Sequence, residues 1–215
     1  MYTSEEIRDQ IVIRLKQRQN HMAFCLMVLF REYIHMHDYE IWKLVVRSDS
    51  VDLLRLLVSH VGKIPYQNHF LLIACRKGDN DMIIEILRSS DRFYMQYCYC
   101  SSFKECCTKG LIEPVAYMIK NWREDIDISA YRYNCFKLPV SKGYLEIVKI
   151  LLDNFREELC DADLMTAAMF NAIEKGRNSL LTTLMRYCVD MNLKINWEPI
   201  YDKAMKNKSQ LESFK

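Results

Sequence analysis

Four of the five glycines, Gly78, Gly110, Gly143 and Gly176, follow one another at intervals of 32, 33 and 33 residues. Each is preceded by a lysine: Lys77, Lys109, Lys142 and Lys175. A period of this length constrains the fold more than any other feature of the chain. It demands copies of one supersecondary unit, none of which buries its apolar face alone, so neighbours must stack. A glycine at one fixed place in each copy predicts a helix end closed in the left-handed backbone region, which only glycine enters cheaply.

The flanking residues keep the same register. Counting each glycine as zero, position −7 holds Leu71, Phe103, Phe136 and Met169. Position −4 holds Ala74, Cys106, Pro139 and Ala172, and position −3 holds Cys75, Cys107, Val140 and Ile173. These positions share one helical face. After the glycine, Met82-Ile83, Pro114-Val115, Ile147-Val148 and Leu180-Leu181 are followed four residues on by Ile86-Leu87, Met118-Ile119, Leu151-Leu152 and Leu184-Met185. That is a second apolar helical stripe. Each unit therefore reads helix, glycine turn, helix. Upstream, Ile41, Leu44, Val45, Leu53, Leu54, Leu56 and Leu57 form a unit without the glycine. Downstream, Tyr201, Ala204 and Met205 start a further half unit, giving five full units and a half.

Composition agrees. Apolar residues make up 50% and charged residues 27%, which excludes a disordered polar chain. With 5 glycines and 4 prolines in 215 residues, turn breakers are too scarce for a sandwich, barrel or doubly wound sheet, so the class is all-α. Lys plus Arg number 30 against 28 for Asp plus Glu, a net of +2 that argues against nucleic acid or a membrane as partner. The longest apolar run, from Met22 to Phe30, is nine residues where a membrane helix needs about twenty. The first ten residues, MYTSEEIRDQ, lack a basic region followed by an apolar one, so a cytoplasmic or nuclear rather than secreted location is expected. The nine cysteines, an odd number, are then expected as reduced thiols.

The period and pattern resemble the ankyrin repeat family over residues 38 to 208. Lys142 to Asp153 (KGYLEIVKILLD) resembles the family's second helix, and Leu71 to Gly78 (LLIACRKG) its first. The Thr-Pro-Leu-His helix start is absent: His69, Ser101, Asn134 and Ala167 stand where the threonine would be. Ser101, Asn134 and Thr166 are candidate helix caps. Only Asp127-Ile128 and Ile195-Asn196 keep a trace of the hairpin loop. Pro114 suits the first turn of a second helix, whereas Pro139 lies inside a first helix. This drifted style resembles repeats of large DNA viruses and intracellular parasites. The resemblance implies an all-α helix-turn-helix solenoid and non-catalytic protein binding on its concave face, in the setting of host–pathogen interaction.

Residues 1–37 fall outside the register. They are expected to form an N-terminal helical cap or an extra drifted unit, or else a partner-binding or dimerising helical pair. No phosphate loop, His-Glu-x-x-His or Gly-x-Ser-x-Gly occurs, so no catalytic residues, metal, cofactor or small-molecule substrate are assigned. Cys98, Cys100, Cys106 and Cys107 lack the Cys-x2-Cys knuckle of structural zinc sites. Cys106 and Cys107 read as small buried residues, while Cys98 and Cys100 are placed in a preceding loop without a role. A zinc-stabilised array is the alternative.

The lysines before the glycines form the candidate surface. Either they serve as helix-end cations, or they line a groove for an acidic protein partner. Nucleic acid along the same ladder is the rival ligand. The predicted contact residues are Arg47, Arg76, Lys77, Lys104, Thr108, Lys109, Lys137, Ser141, Lys142, Glu174 and Lys175.

Overall fold

The computed structural model describes the backbone of residues 3–30, 39–48, 50–89 and 95–212, and their side chains except 95–100, 131 and 208–212. Among these residues the chain is helical and contains no strand. Its α-helices are α1 (Ser4–Lys16), α2 (Asn20–Leu29), α3 (Tyr39–Arg47), α4 (Val51–Val61), α5 (Gln67–Lys77), α6 (Asn80–Arg88), α7 (Met95–Lys109), α8 (Ile112–Trp122), α9 (Ala130–Lys142), α10 (Leu145–Asn154), α11 (Ala162–Glu174), α12 (Asn178–Asp190) and α13 (Glu198–Glu212). A 3-10 turn, Arg123–Asp125, follows α8.

The chain divides into two compact units, Met1–Glu105 and Cys106–Lys215. In the first, α3 packs on α4 and α5 on α6 as hairpin pairs. The first helices α1, α3 and α5 stack in one row, and the second helices α2, α4 and α6 in another. The pair α1–α2 thus continues both rows as an additional helical pair. In the second unit α9 pairs with α10 and α11 with α12; α9, α11 and α13 stack in one row, and α8, α10 and α12 in the other.

Most residues that the register picks out are buried, but Tyr201 and Met205 of the final half unit are exposed. Leu71, Ala74 and Cys75 of α5, Phe136 and Val140 of α9, and Met169, Ala172 and Ile173 of α11 are all buried. So are Met82, Ile83, Ile86 and Leu87 of α6, and Ile147, Val148, Leu151 and Leu152 of α10. The small residue at −4 lets the next helix approach, while the large residue at −7 fills the space between pairs. Phe103, Phe136 and Phe155 are among the largest fully buried side chains.

The turn between the two helices of a unit closes in one way. The residue after the glycine donates its N–H to the carbonyl at −4: Leu111 to Cys106, Tyr144 to Pro139 and Arg177 to Ala172, at 2.8–3.0 Å. Gly143 has φ +78° and Gly176 φ +64°, the left-handed conformation such a closure requires. Pro139 costs its helix one backbone donor, yet its carbonyl accepts both Gly143 and Tyr144. Pro114 lies in the first turn of α8, where a missing donor is tolerated.

Helix starts differ from the sequence expectation. The first helices begin several residues earlier than the missing family motif would place them. Ser101, Asn134 and Thr166 therefore lie inside α7, α9 and α11 rather than capping them. Asp161 caps α11, accepting from Leu164 N at 2.8 Å. Asp127 opens α9 by accepting from Ser129 N and Ala130 N. The early start of α7 also carries Cys98 and Cys100, which lie in helix and not in a loop; their side chains are outside the described residues. No helix among the described residues is long and apolar enough to cross a membrane.

Candidate protein-binding surface

The C-terminal ends of the first helices carry most of the predicted contact residues; Lys104 and Lys137 lie further back, inside α7 and α9. A helix end exposes carbonyls that its own turns leave unpaired, at the negative pole of the dipole. Two of the lysines before the glycines are spent on these carbonyls. Lys77 Nζ donates to the Ser48 carbonyl at 2.8 Å, at the end of α3, and pairs with Asp79 at 3.3 Å. Lys142 Nζ donates to the Thr108 carbonyl at 2.7 Å, at the end of α7, and lies 5.9 Å from the Tyr144 ring centre. Both reach back from one helical pair to the previous one.

Two further residues do the same job, and sequence reading assigned them no role. Arg177 follows Gly176 and donates to the Val140 carbonyl at 3.5 Å; its guanidinium lies over Gly143. Asn207 donates to the Ile173 carbonyl. The available signal was positional: each stands at or near the turn position that follows a first helix, about one repeat beyond the carbonyl it meets.

The remaining predicted residues divide. Glu174 is bonded to Lys203, which holds its carboxyl below the usual range. Thr108 turns its hydroxyl inward, where the oxygen is buried without a hydrogen-bond partner. Lys104 is half-buried and already engaged. Ser141 is half-buried. Arg47, Arg76, Lys109, Lys137 and Lys175 are exposed, and none makes an ion pair among the described residues. Arg47 and Arg76 belong to the first unit; Lys109, Lys137 and Lys175 belong to the second.

On the second helices and the turns after them some exposed charges pair, while Arg88, Lys120 and Arg186 make no ion pair among the described residues. Arg55 of α4 bonds Glu85 of α6 at 3.0 Å, and Asp52 adds to a pKa raised first by Glu85. Arg123 donates to the Asn154 carbonyl at 2.6 Å, pairs with Glu158 and covers the Phe155 ring.

The chemistry that the described thiols offer is limited. Cys75, Cys106, Cys107, Cys135 and Cys188 are free and buried, while Cys25 and Cys160 are exposed. Burial, reinforced by nearby Cys135, holds the Cys107 thiol well above its ordinary pKa, so it stays protonated and inert. Among the described residues no group of three or more His, Cys, Asp or Glu side chains is placed to hold a metal ion. No protein-family model, curated protein or solved structure matches the chain.

Proposed function

We propose that the protein is a non-catalytic binding scaffold, built of ankyrin-like helical pairs, that holds an acidic surface of another protein against the ends of its first helices. One observation carries this reading. Arg47, Arg76, Lys109 and Lys175 stand exposed at first-helix ends and Lys137 stands exposed further back along α9, and none of the five is consumed by the stacking. Lys77 and Lys142, at the same level, are consumed. Within each unit the stacked helices present such cations with little ordering cost on binding.

The test is affinity capture of proteins by the full chain, compared with a variant carrying Arg47, Arg76, Lys109, Lys137 and Lys175 all as Glu. A control variant reverses Lys120, Lys149 and Arg186 on the second helices. A protein captured by the wild type and the control, but lost from the first variant, is the expected result. Equal capture by all three sinks the reading. Recovery of nucleic acid instead, falling steeply with salt, replaces it with the rival ligand.

A further inference from the structure

The pair α1–α2 has an apolar face that the stack does not use. Helices α1 and α2 are joined by only Gln17, Arg18 and Gln19, so they run antiparallel. The groove along them, about 310 Å³, is lined by Ile7, Gln10 and Arg14 from α1 and by Met22, Leu26 and Phe30 from the α2 strip. Met22 is 50% exposed and Leu29, one turn beyond Leu26, is 73% exposed. These are large values for apolar side chains that share a stripe. Arg14 is held in place by its Nη1 bond to Gln19 at 2.9 Å, while its Nε is buried without a partner.

The face is complementary to itself. Along α1, Glu6, Gln10 and Arg14 follow at four-residue steps, each about 6 Å along the axis. Gln10 is the midpoint of this acid–amide–base series. The antiparallel register sets Leu26 beside Gln10 in the same groove, with Met22 and Leu29 on either side of it.

We propose that this face pairs with a second copy of the chain. The two-fold axis crosses both helices at the level of Gln10 and Leu26, laying α1 antiparallel on the other α1 and α2 antiparallel on the other α2. Glu6 of each copy then meets Arg14 of the other, in two equivalent pairs. The two Gln10 side chains meet at the axis, where an amide both donates and accepts. Met22, Leu26 and Leu29 form the apolar centre that a stable interface requires. A self-matching patch is what a closed dimer needs, whereas a parallel arrangement would set Arg14 against Arg14. This proposal does not depend on the function proposed above.

Sedimentation equilibrium of the full chain tests it. The wild type is expected at twice the chain mass of 25.7 kDa. Leu29→Glu is expected at the single-chain mass with unchanged helical circular dichroism. Glu6→Arg alone and Arg14→Glu alone each place like charges across the axis and are expected as monomers. Mixed one to one they restore both pairs, and the dimer returns. Glu6→Arg also breaks the capping box with Thr3, but mixing does not repair that, so recovery reports the interface. A wild type that stays monomeric up to about 100 µM, the weak end of specific association, overturns the proposal and leaves the face to a different partner. A dimer that survives Leu29→Glu, or a mixture that stays monomeric, overturns it equally.

Discussion

Replacing Gly143 by alanine tests the link between the repeat's turn and its stacking. The backbone there has φ +78°, which costs an alanine about 1–2 kcal/mol. The new methyl would also stand 1.9 Å from Arg177 Nη1 and 2.6 Å from its Cζ. The guanidinium is the far end of a flexible side chain, so it moves instead of clashing. In moving it abandons the Val140 carbonyl at the end of α9. A bond from a charged donor is worth about 1.5–3 kcal/mol, and this one, at 3.5 Å, belongs at the low end. The expected loss is therefore about 2–4 kcal/mol.

Gly176→Ala supplies the control. Its φ is +64°, but no atom lies within 4 Å of the added methyl, so only the backbone cost of about 1–2 kcal/mol remains. Both glycines belong to the same compact unit, so urea unfolding followed by far-ultraviolet circular dichroism reads them in one transition. Gly143→Ala should lower the midpoint more than Gly176→Ala at equal slope. In an Arg177→Ala background, which already lacks the guanidinium, the Gly143 cost should fall to the Gly176 level. Equal costs for the two glycines in the wild-type background would refute the reasoning, as would an Arg177 background that leaves the difference intact.

Four further outcomes follow from the same contacts. Lys142→Met keeps the aliphatic stem but uncaps the Thr108 carbonyl, and should cost about 0.5–1.5 kcal/mol in chemical denaturation, whereas Lys137→Met and Lys175→Met should stay within about 0.5 kcal/mol. Asp161→Ala removes the cap of α11 and should cost about 1 kcal/mol, more than Thr166→Ala, whose helix has already begun; the reverse order would restore the cap to Thr166. Thr108→Val exchanges a buried, unpartnered hydroxyl for a methyl and should be neutral or stabilising in thermal unfolding, since nothing is lost on the polar side. Burial pushes the Tyr187 hydroxyl up to about 12, above its ordinary value of 10.0, so its neutral form is the one the fold favours. Its contribution is complete below pH 10 and lost as pH rises towards 12; Tyr187→Phe, which removes the 2.6 Å bond to the Arg156 carbonyl, should flatten that part of the stability–pH curve.

Much of the helical organisation was legible because packing has a period. Residues at −7, −4 and −3 must face the neighbouring pair in every unit, so Leu71, Phe136 and Met169 recur in register and are buried together. Turn closure was legible for the same reason, because one backbone geometry repeats. Helix starts were not. An N-cap is a single local bond, and several side chains near one start are competent to make it. Asp161 and Asp127 make those bonds, five and seven residues before Thr166 and Asn134 respectively. The place of α1–α2 in both rows was one of several alternatives that the sequence left open, because Ile7, Ile11 and Leu15 of α1 share no residue-by-residue register with the glycine units. The surface was half legible. The series of cations is plain in the sequence, but which of them reach a carbonyl depends on side-chain reach across a stacking step.

That difference in reach decides how the surface must be probed. A lysine before the glycine of one pair lies one stacking step from the carbonyl end of the previous first helix. Lys77 and Lys142 close that step, and their charge then neutralises a helix dipole. Reversing either one would press a carboxylate against carbonyl oxygens and loosen the stack itself, so any partner lost would report unfolding as readily as binding. Arg47 ends α3, Arg76 lies one residue before Lys77, Lys137 lies further back inside α9, and Lys109 and Lys175 share the pre-glycine position without such a bond among the described residues. Reversal at these five leaves the helix ends capped where capping is observed. A binding defect confined to them therefore separates a contact surface from a structural one, which reversal of the four pre-glycine lysines together would confound.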